Sequence, residues 1–178
     1  MGSFARVADA YGKLLAFFAL CACVLLALMM LMICADVLVR NVPVVPGVTS
    51  LPWANEVSES MLYLITMLAA PWLLRRGQHI RVDIVLRVLP DRVAWYCEWA
   101  VDVLAFACCI VLVAYGAKAA VASWSSNALT IKTLITPEWW MLAPLPVTFA
   151  LLAIEVVFRM HRLALGPRAA RDDAVSAG

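Results

Sequence analysis

Residues 14–35 form a run of 22 without a single charged side chain. As a helix, such a run is about 33 Å long at 1.5 Å per residue, close to the ~30 Å hydrocarbon thickness of a bilayer. Lipid offers the backbone no hydrogen-bond partners, so a crossing segment satisfies its own peptide groups as a helix. This constraint recurs along the chain, which is 65% hydrophobic and only 15% charged. A soluble domain carries roughly half apolar and a quarter charged residues. β-Barrel crossings read as alternating segments of about ten residues, and these runs are longer and uniformly apolar. The expected fold class is an all-α integral membrane protein with four transmembrane helices.

The expected crossings cover 13–39, 53–74, 92–126 and 138–162, a single domain over 1–163, with the other three packed around the second. Residues 1–12 read as a short amphipathic lead-in. The first apolar run exceeds the 7–15 residues of a signal h-region, so a cleaved signal peptide is not expected. Asp36 and Arg40 stand at i,i+4 and can pair on one helix face. The stretch NVPVVPGVTSLP holds three prolines and a glycine and reads as a loop. Glu56 and Glu59 fall in the first turns of the second crossing, where the helix dipole favours anions. Pro71 is expected to kink that helix mildly near its end. Residues 80–89, IRVDIVLRVL, are ambiguous on pattern. An interfacial amphipathic helix is favoured over a strand, which would leave its backbone unpaired. Residues 125–137 read as a loop, and 164–178 as a disordered tail.

Arginine and lysine placement fixes the expected orientation. With both termini cytoplasmic, the inner side holds Arg6, Lys13, Arg75, Arg76, Arg81, Arg87, Arg92, Arg159, Arg162, Arg168 and Arg171; the outer side holds Arg40, Lys118 and Lys132, a ratio of eleven to three. All seven tryptophans fall near predicted helix ends, as amphipathic rings at two interfaces should. The inner arginines are also suited to anionic lipid. The net charge of +2 gives no footprint for nucleic acid.

Catalytic and metal-binding patterns are missing from the sequence. Neither Cys21-x-Cys23 nor Cys108-Cys109 has zinc-ligand spacing, and the six cysteines read as packing residues in apolar runs. No HExxH, GxSxG, P-loop or glycine-rich dinucleotide motif is present. The two histidines, His79 and His161, both lie toward the inner face, which argues against a haem or quinone anchor. The acids cluster at helix ends, with Asp36, Glu56 and Glu59 outside and Glu98, Asp102 and Glu155 inside. A self-contained small transporter would need a charge or a broken helix near the midplane. Lys118 lies deeper than most. Either it snorkels to the outer interface, or it pairs with Asp36 or a glutamate of the second crossing.

Three motifs carry a resemblance. Trp53-x-x-Glu56 opens the second crossing. Arg75-Arg76-Gly77-x-His79-Ile80-x-Val82-Asp83 follows it. Leu129-x-Ile131 then leads through Pro137-x-Trp139 to Pro144-Leu145-Pro146. In these the chain resembles the small, DctQ-like membrane subunit of tripartite ATP-independent periplasmic (TRAP) transporters, over nearly its whole length except the tail. The stretch Lys132-Thr133-Leu134-Ile135 departs from the family pattern, where a shorter approach to the proline is expected. The resemblance implies a bacterial inner-membrane protein without cofactors. Its implied partners are a large, elevator-type membrane subunit, which holds the substrate and sodium sites, and a periplasmic substrate-binding protein delivering an organic acid such as a dicarboxylate. The small subunit is then a scaffold. Its candidate interface or anchoring residues are Asp36, Arg40, Trp53, Glu56, Glu59, Arg75, Arg76, His79, Arg81, Asp83 and Lys118.

Overall fold

The structure is a computed structural model and describes residues 2–41, 51–76 and 90–165. The expected interfacial helix at 80–89, with His79, Arg81 and Asp83, lies outside the described residues, as do residues 166–178. The described chain is helical apart from one small hairpin. Its elements are α1 (Gly2–Asn41), α2 (Ala54–Arg75), α3 (Asp91–Ser125), β1 (Leu129–Ile131), β2 (Ile135–Pro137), α4 (Trp139–Leu142) and α5 (Pro144–Leu165). Four helical stretches are long and apolar enough to cross a membrane: Ala8–Asn41, Ala54–Arg75, Arg92–Ser125 and Trp139–Leu165.

The helices differ from the expected ones at two places. The lead-in at 1–12 is no separate element, because α1 runs unbroken from Gly2. Gly12 stays helical and serves packing. A Cβ there would stand 2.8 Å from Nη2 of Arg75, so the missing side chain admits the guanidinium. The last crossing is split into α4 and α5 because Pro144 has no N–H for the helical ladder. Ala143 keeps helical angles (φ −62°, ψ −39°), so the path continues across the break. Pro71 is buried in α2 without ending it.

The expected loop at 125–137 also contains regular structure. α3 ends in a Schellman cap. Asn127 takes a left-handed φ of 48°. Its N–H donates to Trp124 O at 3.3 Å, and that of Ala128 donates to Ser123 O at 3.2 Å. Asparagine tolerates this conformation better than most residues. The chain then forms an antiparallel hairpin pairing Leu129 with Pro137, Thr130 with Thr136 and Ile131 with Ile135. Lys132, Thr133 and Leu134 make its tip.

α2 is not the hub of the assembly. α1 lies along α2, α2 against α5, and α5 against α3, so the spans run in the spatial order α1–α2–α5–α3. α5 is the most enclosed, with 28% of its most apolar stretch buried against 6–11% in the others. Small residues make the closest approaches. A Cβ on Gly116 of α3 would run into Leu145 of α5. Large apolar side chains such as Leu20, Leu31, Leu104 and Val121 remain exposed, as suits a lipid or partner neighbour. The first and last described residues lie at the same end along the helix axes. That end carries Arg75, Arg159 and Arg162, and is called the arginine end below. The other is the hairpin end.

Candidate functional site

The ion pairs seen among the described residues lie at the two ends. At the arginine end the centre is Glu155 of α5, whose side chain is 0% exposed. Its Oε1 accepts a hydrogen bond from Arg162 Nη2 at 2.7 Å, and its Oε2 one from Arg75 Nη1 at 3.4 Å. Arg75 closes α2 and reaches further. Its Nη2 donates to the Ala8 carbonyl of α1 at 2.9 Å, and its guanidinium lies 5.9 Å from the ring centroid of Tyr11. Tyr11 in turn donates its hydroxyl to Leu151 O of α5 at 2.7 Å, and its ring packs on Phe158. One guanidinium therefore ties three helices.

The fourth helix joins through a second buried pair. Asp102 of α3 meets Arg159 of α5 at 3.3 Å, with side chains 4% and 13% exposed. An unpaired charge in so apolar a setting is strongly disfavoured, and pairing is the condition for burying it. Positions 151, 155, 158 and 162 recur at helical spacing, so one stripe of α5 presents Leu151, Glu155, Phe158 and Arg162 to α1 and α2. Arg159, four residues from Glu155, serves α3.

At the hairpin end the acids of α2 hold the hairpin tip. Glu56 Oε1 accepts from the backbone N–H of Thr133 at 2.6 Å and Oε2 from that of Leu134 at 2.9 Å. Glu59 pairs with Lys132 at 2.8 Å. Glu56 and Glu59 are one turn apart on α2, so they grip successive residues of the tip. The hydrogen bond and charge of Glu59 hold the Lys132 ammonium above the usual lysine range. The raised lysine pKa keeps the ammonium charged through neutral pH, and its contribution to the grip is lost only as pH climbs past the ordinary value of 10.5. Asp36 accepts from Leu51 N–H at 2.8 Å and from Arg40 Nε at 2.7 Å, closing α1 onto the segment that precedes α2.

Glu56→Ala is expected to free the hairpin tip. Hydrogen exchange followed by mass spectrometry should show faster exchange at the Thr133 and Leu134 amides, with Glu56→Gln intermediate. Unchanged protection in the alanine variant would refute the clamp.

The candidate residues therefore sort into separate groups. The Asp36–Arg40 pair forms at i,i+4 as its spacing predicts. Trp53 occupies the N-cap position of α2, makes no side-chain capping bond, and is 40% exposed. Arg75 and Arg76, adjacent in sequence, part company. Arg75 turns into the helix row, and Arg76 stacks on Trp72 at 4.9 Å. Lys118 does not form the pair with Asp36, Glu56 or Glu59, because those carboxylates are taken by Arg40, the hairpin amides and Lys132. Its ammonium sits 5.6 Å from the Tyr115 ring centroid. α3 lies at the opposite end of the row from α1, which removes Asp36 from its reach.

Sequence reasoning placed Glu155 and Asp102 among the rim charges and did not single them out; Tyr11, Arg159 and Arg162 were also passed over. One signal was present. Glu155 precedes Arg162 by seven residues, so it sits about 10 Å deeper along the helix. An acid at that depth requires a partner from another helix.

Among the described residues no group of three His, Cys, Asp or Glu side chains could hold a metal ion. A cavity of about 590 Å³ between α1, α2, α4 and α5 is walled by apolar side chains such as Phe18, Met67, Trp140 and Leu151, with Thr148 the polar exception. A family model described as "Tripartite ATP-independent periplasmic transporters, DctQ component" matches residues 29–166. A search of curated proteins returns no match.

Proposed function

The chain belongs to the DctQ component family of tripartite ATP-independent periplasmic (TRAP) transporters, and from that membership we propose that it is a fixed scaffold for its transporter's large membrane subunit. The family is one of transporter components, not of enzymes. In this reading the large, elevator-type subunit binds substrate and sodium. A periplasmic binding protein delivers an organic acid, and the small subunit holds no substrate site of its own. It resides in the bacterial inner membrane with both termini in the cytoplasm. The eleven-to-three division of arginine and lysine supports that orientation.

One observation carries the scaffold reading. Each crossing has an uncharged middle, at 14–35, 60–74, 103–117 and 139–154. The acids Asp36, Glu56, Glu59, Asp102 and Glu155 at the crossing ends bond to groups of this same chain. A substrate path for an organic anion needs polar groups converging on a cavity at membrane depth. Ionic bonds spent on joining helix to helix instead favour a body that keeps its shape while a partner moves.

The test is affinity purification of the tagged chain from its native membrane, followed by reconstitution. A multi-helix subunit of much larger size should copurify, and sodium-driven uptake should need that subunit and the binding protein. Uptake by this chain alone in liposomes would sink the scaffold reading.

A further inference from the structure

The hairpin has its amphipathicity reversed. Cross-strand register puts Leu129, Ile131, Ile135 and Pro137 on one face, and Thr130 and Thr136 on the other. The aliphatic face is the open one, with Ile131 80%, Ile135 66% and Leu129 56% exposed. The threonines are only half-buried, on the side toward the helices. A hairpin standing in water would turn its isoleucines inward and its threonines outward.

Its depth is set by what it touches. The base springs from the end of α3 and returns into α4, where Trp124 and Trp139 lie 4.7 Å apart and Trp139 and Trp140 6.0 Å apart. Tryptophans such as the exposed Trp124 and Trp140 gather at the headgroup level of a bilayer. The tip does not rise away from that level. It is bonded to Glu56 and Glu59, in the first two turns of a helix that begins at Ala54. Three-residue strands reach only about 10 Å. The hairpin is thus laid from the end of α3 to the flank of α2, within the interfacial layer, its aliphatic face turned away from the helices.

We propose that this hairpin is an interfacial anchor whose Leu129–Ile131–Ile135 face is embedded in the headgroup–acyl boundary of the bilayer. The occupant of the face is lipid. Apolar burial drives the embedding, and the Glu56 and Glu59 clamp keeps the face aimed at the membrane. Such an anchor resists displacement of the hairpin end along the membrane normal. It stands independently of the scaffold reading, since it requires only that the chain crosses a membrane.

Photo-crosslinking of the full chain in its native membrane, with its assembled partners, tests the proposal. Benzoylphenylalanine replaces Ile131 or Ile135 in one pair of variants and Thr130 or Thr136 in the other. Phospholipid adducts, read by intact mass, are expected several-fold more often at 131 and 135 than at 130 and 136. A covalent protein band at 131 and 135 would assign the face to a partner subunit or the binding protein, and would overturn the proposal. So would equal lipid capture at both pairs, or none at either. A smaller probe guards against misfolding. Ile131→Cys should react several-fold more slowly than Thr133→Cys, which is exposed and keeps its backbone bond to Glu56, with a charged maleimide in intact membranes, and equal rates would likewise refute embedding.

Discussion

Glu155→Ala is expected to destabilise the folded chain by about 3–5 kcal/mol, the cost of stripping one partner from a buried ion pair. The carboxylate is fully buried and receives Arg162 and Arg75 from two helices. Its removal leaves the Arg75 guanidinium, 27% exposed, facing an apolar gap. Arg162 is 57% exposed and can turn to solvent or headgroups, so most of the loss falls on Arg75. Because Arg75 also binds Ala8 O and lies over Tyr11, the contact of α1 with α5 should loosen too. The measurement is the thermal midpoint of monodispersity in detergent. Glu155→Gln, which keeps an acceptor and loses the charge, should fall between. The double variant Glu155→Met with Arg75→Met should recover much of the loss, since an apolar pair replaces a buried ionic one at little cost. A midpoint unmoved in Glu155→Ala would remove Glu155 from the centre of the fold. Strict additivity in the double variant would show that the two side chains are not coupled.

Arg159→Met is the second large effect, and it should exceed Asp102→Asn. Asp102 and Arg159 form a buried ionic link between α3 and α5. Losing the arginine takes a cationic partner from a carboxylate that is 4% exposed, at a cost of up to about 3–5 kcal/mol. It also takes a cation from one turn below Glu155, so two acids lose support. Asp102→Asn keeps an oxygen for Arg159 and leaves Glu155's surroundings intact. The expected signature is regional. Hydrogen exchange should quicken in the first turns of α3 and the last turns of α5 while α1 and α2 hold their protection. Uniform acceleration along all four helices would mean that the pair supports the whole fold and not the α3–α5 seam. Asp102→Leu combined with Arg159→Leu should regain part of the stability, though not the part Arg159 lends to Glu155.

Much of the architecture was legible because it follows from solvent transfer. The run at 14–35 has no alternative to a helix once it enters lipid. The Asp36–Arg40 pair was readable for a similar reason, since helical periodicity alone brings i and i+4 together. Lys118 shows where that reasoning stops. Its depth was apparent, and so was the presence of acids at that end. Which helix stands beside which was not, and α3 proved to be at the far side of the row from α1. The hairpin was hidden for another reason. Three-residue strands give too short a pattern to read, and its register is held by Glu56, 77 residues from Thr133.

The adjacent arginines 75 and 76 illustrate the division well. By charge they are identical, and the sequence treats them as one topological signal. A helical step of about 100° separates them. It sends Arg75 to Glu155 and Ala8 and leaves Arg76 on Trp72. The sequence by itself determined four crossings, their charged ends and the family resemblance, because burial in lipid is a property of each segment alone. The tertiary structure decided which charges are joined, that Glu155 is a buried hub, and that the loop between α3 and α4 is a clamped hairpin. Those outcomes depend on neighbours between helices, and hydropathy along one chain does not encode the order in which its helices pack.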